Sequence, residues 1–191
     1  MSSGISIPDN LPGEDRNFGT GLFVDLIPSS CWFTNVRSCV SARDWKVIRD
    51  MVTSRADNRC EACDETPNAD NSVKLAVHER WEYDNQTHTQ ILRRLICLCT
   101  ECHNATHFGR AQMYGGGADA AAHIMKVNHW SEEMTRENID NSFQVWRARC
   151  EVDWSLDLSI LTSAGITTIA PPSAAKRREI AAATLDAKTR K

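Results

Sequence analysis

The sequence predicts an α+β fold in which a small metal-stapled core is flanked by helices. Two C-x2-C pairs, Cys60 with Cys63 and Cys99 with Cys102, enclose two strand-like segments. Segments with helical periodicity lie before the first pair and after the second. The chain has 191 residues, of which 41% are hydrophobic, so we expect one compact domain with a small core.

The two ends of the chain are predicted to lie outside this domain. Residues 1–20 are rich in Gly, Ser, Pro and Asp without periodicity, which predicts a mobile N-terminal arm. The domain is expected over residues 21–160, with its motif core at 60–110. Residues 161–191 are predicted to form a basic, flexible tail. The positive charges of this tail could contact phosphates, although a solvated tail is the simpler interpretation.

Local patterns predict the elements of the domain. Ser41 has the side chain of an N-cap, and apolar residues at helical spacing follow it. The segment SVKLAVHERW is typical of a strand, a polar loop follows, and ILRRLICLC returns as a second apolar segment. The stretch CLCTECHNATH then opens a helix, which Gly115–Gly117 end. Two more helices are predicted over ADAAAHIMKVN and from Ser131 to about Cys150.

The two C-x2-C pairs predict a tetrahedral zinc site of four thiolates, Cys60, Cys63, Cys99 and Cys102. Soft sulfur ligands exclude Mg and Ca, and four protein ligands leave no open position, so the site should be structural. The alternative is four buried free thiols. The other cysteines lack paired spacing and are expected as non-ligand or small core residues, namely Cys31, Cys39, Cys97 and Cys150.

Three histidines form a candidate second site. His103 and His107 are spaced i and i+4, so they share one face of the predicted helix, while Cys102 points about a quarter-turn away toward the zinc. His78, at the end of the KLAVHE strand, is the natural third ligand. The alternative is that all three are surface or hydrogen-bonded histidines. The remaining three have no such arrangement and are expected to be structural: His88, His123 and His129.

The motif C-x2-C … LAVHE … LICLC-x2-CH-x3-H spans residues 60–107 and resembles the HNH endonucleases, of the bacterial and phage type that carries an added four-cysteine zinc. The flanks CWFTNVRS, HERWEYD and WSLDLS extend the resemblance over residues 21–160. The resemblance implies a treble-clef-like ββα-metal core, in which a two-stranded hairpin and one helix clasp a divalent ion.

The resemblance also implies roles for particular residues. The four paired cysteines match the structural zinc ligands, and His78, His103 and His107 match the ligands of a catalytic ion, which would be Mg, Mn, Ni or Zn. Two positions depart from the family. Glu79 stands where the general base is usually His, and Arg94 stands where the family has Asn. A register slipped by one would make His78 the base and put Val77, which cannot ligate, at a ligand position.

The function that the resemblance implies is metal-dependent hydrolysis of DNA phosphodiester bonds. Glu79 would act as base and Arg94, with Arg93, would neutralise the phosphate, while Arg80 and Arg110 are candidate contacts to the nucleic-acid backbone. The net charge of −3 does not itself indicate a nucleic-acid partner, and the acids and arginines of residues 78–110 balance, so salt-sensitive and sequence-poor binding is expected. One alternative is an inactive zinc-stabilised module that binds nucleic acid or a protein partner; another is an unrelated zinc protein whose histidines are incidental.

The expected location is the cytoplasm. The first residues have neither a basic start nor an apolar stretch, so no secretory signal is predicted, and the cysteines are expected as thiols and metal ligands. No apolar run is long enough to predict a membrane span.

Overall fold

The computed structural model describes residues 7–68, 70 and 72–189 and confirms the predicted α+β class. The chain contains a three-stranded sheet, eight α-helices among the described residues and one 3₁₀ turn at Ser29–Cys31. The strands are β1 (Leu75–Asp84), β2 (Thr89–Cys99) and β3 (Ser155–Asp157). The helices are α1 (Val36–Cys39), α2 (Ala42–Arg55), α3 (Thr100–Thr106), α4 (Phe108–Met113), α5 (Gly117–Asn128), α6 (Glu132–Cys150), α7 (Ser159–Thr162) and α8 (Ala174–Thr189).

The centre of the fold is an antiparallel hairpin of β1 and β2, with β3 parallel to β2 on the outer side. The ladder is interrupted by a bulge. Arg80 pairs with Arg94 and Trp81 pairs with Leu92, so Arg93 is an extra residue on β2. Helix α3 begins directly after β2, which gives the strand–strand–helix order that the sequence predicts.

The hairpin is covered on both faces, and the two faces pack into different cores. Leu95 and Cys97 face a core with α2 and the C-terminal segment. Ile96 and Leu98 face a second core with α3 and α5. Neighbouring strand residues point to opposite faces, so this alternation decides which side chains can meet at a site.

The helices predicted by N-cap signals are confirmed. Ser41 accepts a hydrogen bond from the backbone N–H of Asp44 at 3.1 Å, and α2 follows it. Ser131 accepts from the N–H of Met134 at 3.2 Å, and α6 ends at Cys150 as predicted. Each serine oxygen satisfies an N–H that has no partner within its own helix.

The first described residues pack on the sheet, which does not agree with the predicted mobile arm. Leu11 is buried in the core that contains Leu95. Glu14 and Arg55 form an ion pair at 2.6 Å, with 0% and 3% of their side chains exposed. The sequence of residues 1–20 did not indicate the buried positions of Leu11 and Glu14, because an irregular segment can pack against a core without a periodic pattern. Residues 1–6 lie outside the described part of the chain.

The C-terminal segment also packs on the domain, so the prediction of a flexible tail does not hold for its described residues. Ile160 and Leu161 are buried in α7. Arg177 is 4% exposed and donates to the carbonyl oxygens of Pro172 at 2.7 Å and Trp154 at 2.9 Å. Arg177 belongs to the segment that the sequence predicts as a solvated, charged tail, yet its side chain is buried and hydrogen-bonded to backbone carbonyl oxygens. In the described residues, no helix is long and apolar enough to cross a membrane.

Candidate metal centres

The four paired cysteines meet, as predicted. Cys60 and Cys63 lie in a turn after α2, Cys99 ends β2, and Cys102 lies in the first turn of α3. Their sulfur atoms all lie within 4.8 Å of one another, and the Cys63 and Cys99 Sγ atoms are 3.7 Å apart. Two thiolates on a tetrahedral zinc would be separated by about 3.8 Å. The cluster can therefore bind a metal ion and is consistent with a structural zinc.

Backbone hydrogen bonds hold the first cysteine pair against the hairpin. The N–H of Asp64 donates to the Cys60 carbonyl at 2.8 Å, which closes the turn. The N–H of Glu61 donates to the Cys97 carbonyl at 2.8 Å, and the Glu61 carboxylate accepts from the Cys97 N–H at 2.7 Å. The turn is thus docked on β2, two residues before the third ligand.

The contacts among the four thiols shift their pKa values in opposite directions. Hydrogen bonds from Cys102 and Cys99 lower the pKa of Cys60 and stabilise it as a thiolate. The same contact with Cys60 raises the pKa of Cys102, and burial raises the pKa of Cys63 to about 12. A bound dication would replace these protons and hold all four sulfurs as thiolates.

His123 contacts the cysteine cluster, although its sequence position gave no sign of this. Its Nε2 lies 3.1 Å from Cys102 Sγ, and its Nδ1 lies 3.3 Å from the Glu101 carboxylate. The ring thus bridges a carboxylate and a ligand sulfur, an arrangement that orients metal ligands in many sites. His123 comes from α5, beyond a glycine loop, so no local spacing could have revealed the contact.

The three predicted histidines also meet. His78 lies on β1, and His103 and His107 lie one turn apart at α3. One ring nitrogen of each lies within 4.8 Å of the others. The ring centroids are 4.6 Å apart for His103 and His107 and 4.8 Å apart for His78 and His107. The rings stand edge to face, so their nitrogens converge without ring stacking.

Burial keeps two of these rings in the form that binds metals. It lowers the pKa of His103 to about 4 and that of His107 to about 3, and the positive charge of Arg110 adds to the effect. Both are neutral at pH 7. Both nitrogens of His78 are buried without a hydrogen-bond partner in the described residues. Orphan buried nitrogens are rare, and three imidazoles are a donor set that suits Zn or Ni.

Glu79 lies away from the histidines, which does not agree with its predicted role as general base. It pairs with Leu95, whereas His78 pairs with Ile96, and these two partners belong to different cores. Its carboxylate accepts the N–H of Val36 at 2.8 Å, at the start of α1. Burial raises its pKa, but strand alternation turns it to the opposite face of the sheet from His78.

Two of the four predicted phosphate contacts are buried and committed to other groups. Arg80 is 0% exposed, donates to the Gly21 carbonyl at 3.2 Å and lies 4.1 Å from the Phe23 ring centre. Arg94 is 6% exposed and pairs with Glu61 at 2.8 Å. Neither guanidinium is placed to contact a nucleic-acid backbone in this fold.

The other two arginines are more accessible. Arg93 pairs with Glu82 at 3.3 Å on the bulge. Arg110 is exposed on α4, and its charge helps to lower the pKa of His103 and His107. Arg110 and His107 both line a groove of about 780 Å³ between the α3–α4 segment and α5. Arg110 is therefore the predicted phosphate contact that lies beside the histidine cluster.

Asp25 is an acidic neighbour of the histidines that the sequence did not indicate. Its Oδ2 lies 3.8 Å from His78 Nε2, and the residue is 8% exposed. It lies in a segment without regular secondary structure, so neither periodicity nor a motif marks it.

Comparisons with family models, with curated proteins and with solved structures give no match for this chain.

Proposed function

We propose that this protein is a metal-dependent endonuclease that hydrolyses DNA phosphodiester bonds. In this proposal the cysteine cluster holds a structural zinc, and the histidine cluster holds a second divalent ion. The observation that carries the proposal is the convergence of three imidazoles, one buried and two half-buried, next to an open groove, with the pKa values of the two half-buried rings lowered well below 7. The resemblance of residues 60–107 to HNH endonucleases supplies the reaction class.

The residues of the histidine site have separate tasks in this reaction. His78, His103 and His107 would bind the ion through neutral nitrogens. A divalent ion held this way supplies Lewis-acid activation of a phosphodiester and charge stabilisation of the leaving oxygen. Arg110, at the rim of the groove beside His107, would bind a phosphate oxygen and set the position of the strand.

The groove suits weak and sequence-independent binding. Its lining includes the cations Arg110 and Lys126 and the acids Glu101 and Asp119, so its charge is nearly balanced. Binding would then rely on a few phosphate contacts and on the bound ion, and it should weaken steeply with salt. Glu79 has no part in proton transfer in this proposal, because it faces the other core.

A second candidate function is a zinc-stabilised module that binds nucleic acid or a protein partner without cutting. Two observations favour it. Glu79 and Arg94 stand at the positions where the resemblance expects catalytic side chains, and both are buried in contacts that support the fold. In this alternative the histidine cluster would bind a metal for recognition only.

Metal analysis and plasmid nicking test both candidates. Wild-type protein should contain two metals per chain and nick plasmid DNA with at least one of Mg, Mn, Ni or Zn. His103→Ala should keep one zinc and lose cleavage. His129→Asn is the matched control, because His129 is exposed and has a left-handed backbone conformation that Asn tolerates. Two metals without nicking would favour the binding module, and one metal per chain would contradict both candidates.

A further inference from the structure

We propose that Asp25 is a fourth ligand of the histidine metal site. The inference rests on the proposed function, because it assigns a residue to the ion that His78, His103 and His107 would hold. It adds a carboxylate to a set that the sequence motif supplies as imidazoles alone.

The distance between Asp25 and His78 suggests an ion between them. Their Oδ2 and Nε2 atoms are 3.8 Å apart, which is too long for a hydrogen bond. Two ligand atoms on one ion, each about 2.0–2.2 Å from it, lie roughly 3–4 Å apart. Both nitrogens of His78 lack a hydrogen-bond partner in the described residues, so this carboxylate does not satisfy them directly.

Asp25 is also held in place by the helix that carries the histidines. Its backbone N–H donates to the carbonyl of Thr106 at 2.9 Å. The residues before it, Leu22 and Val24, are buried in the core beside α3. The backbone of Asp25 is thus fixed beside His78. Its carboxylate does not belong to the group of ligand atoms that lie within 4.8 Å of one another, so the side chain would have to turn toward His103 and His107 to complete the site.

A structural role beside Arg80 is the competing explanation. Arg80 is buried, and the negative charge of Asp25 opposes the fall in its pKa that burial causes. Asp25 forms no ion pair with Arg80 within 4.0 Å in the described residues, whereas its Oδ2 lies 3.8 Å from His78 Nε2. Nε and Nη1 of Arg80 are also buried without a hydrogen-bond partner there, so a measurement of metal affinity beside Tm is needed to separate the two roles.

A fourth protein ligand changes which ions support catalysis. A tetrahedral zinc bound by three imidazoles and one carboxylate has no open position for substrate, whereas a six-coordinate ion keeps two. A carboxylate also suits Mn and Mg better than a site of imidazoles alone. Six-coordinate ions should therefore support cleavage, and zinc at the histidine site should inhibit it.

Manganese titration followed by electron paramagnetic resonance measures the site without relying on activity. Mn²⁺ is the probe because thiolate sites exclude it, so zinc can remain on the cysteines. Asp25→Asn should weaken Mn²⁺ binding by about 10–100-fold or more, the scale seen for lost metal-site partners, with zinc content and Tm retained. Asp50→Asn, an exposed acid on α2, is the charge-matched control and should bind as the wild type does.

Each result decides the proposal. Equal Mn²⁺ affinity for Asp25→Asn and wild type would overturn it, as would a lower Tm with unchanged affinity, which the counter-ion role predicts. If wild type and His107→Ala bind Mn²⁺ alike, the histidine site itself is wrong and the proposed function fails with it. In plasmid nicking, Asp25→Ala should let Zn²⁺ support cleavage that it does not support in the wild type.

Discussion

The cysteine cluster and the histidine cluster share one short helix, yet their chemistry differs. Helix α3 and its flanking residues supply Cys99 and Cys102 to one cluster and His103 and His107 to the other. The cysteines offer four soft sulfur atoms within 4.8 Å of one another, two of them from a turn that is docked on β2. The histidines have neutral nitrogens, unsatisfied polar atoms and an adjacent groove. In the proposed function, one helix start would serve both a site that holds the fold and a site that binds substrate.

The two clusters also differ in how much they need a cation. Four clustered thiols, three of them buried, cannot all ionise without a cation, since each thiolate raises the pKa of its neighbours. Neutral imidazoles carry no such charge. Loss of the first metal should therefore damage the fold, whereas loss of the second should mainly remove activity. Each variant below tests this difference, from the largest expected effect to the smallest.

Cys63→Ser should cause the largest loss. Removing one of four ligands takes away much of the folding free energy that a structural zinc contributes, because the site does not exist in the unfolded chain. We expect an unfolded or molten protein by circular dichroism, with zinc lost. Cys150→Ser is the control, since Cys150 lies outside the cluster. A Cys63→Ser protein with unchanged Tm would show that the cysteine cluster, like the histidine cluster, is not needed for folding.

His107→Ala should separate activity from folding. In the proposed function the ring is a ligand of the second site, and it does not belong to the cysteine cluster, so near-normal secondary structure and one metal fewer per chain are expected. Plasmid nicking should be abolished. Unfolding of this variant would instead assign His107 to the structural site.

The local part of these sites could be predicted from sequence, and the long-range part could not. The C-x2-C pairs and the i, i+4 histidines lie close in the chain, so their spacing alone brings them together. His78 is predicted from its place at the end of a strand-like segment, and the resemblance to a hairpin motif gives it the same role. Asp25 and His123 reach the sites from an irregular segment and from α5, and no short pattern encodes such contacts.

The errors have equally physical causes. Glu79 was assigned by its position next to His78, although adjacent residues on a strand face opposite sides. Arg80 and Arg94 are predicted from sequence to contact phosphate, but the packing of residues 7–23 over the hairpin buries them. Charge in a sequence gives no direct measure of burial when the covering segment is irregular.

His123→Leu should loosen the zinc without removing a ligand. The Nε2–Sγ contact with Cys102 at 3.1 Å is lost, and partners of this kind are worth about 10–100-fold in metal affinity. Zinc release to a chelator should be faster by a comparable factor. His123→Gln, which keeps a donor, should recover part of the loss. If His123→Leu and the wild type release zinc at equal rates, His123 contributes only packing and does not support the cysteine cluster.

Glu79→Gln sharpens the comparison between the two faces of the hairpin. If Glu79 only supports the fold, the Gln side-chain oxygen can still accept the Val36 N–H, and nicking should stay within a few-fold of wild type. Glu79→Leu leaves that buried N–H unsatisfied and should cost about 1–3 kcal/mol. A hundredfold loss of nicking in Glu79→Gln, with both metals retained, would restore Glu79 as the base.

The smallest expected effect is the pH dependence of the histidine site when the second ion is absent. The pKa values of His103 and His107 are about 4 and about 3 in the folded state, below the value of about 6.5 for an unfolded chain. As pH falls below 6.5, His103 and His107 become protonated in the unfolded chain while they stay neutral in the folded protein. The stability that is fully present above pH 6.5 is therefore lost progressively toward pH 4.

Zinc at the cysteines is also acid-sensitive, so the informative quantity is the difference between wild type and a variant with both rings replaced by Gln. Between pH 7.5 and 6 the Tm of the wild type should fall by a few degrees more. Each ring then loses about 0.8 kcal/mol of stability, and about 1 kcal/mol shifts Tm by about 2–4 °C in a chain of this size. Parallel curves for the two proteins would show that these half-buried rings are not neutral as the fold places them.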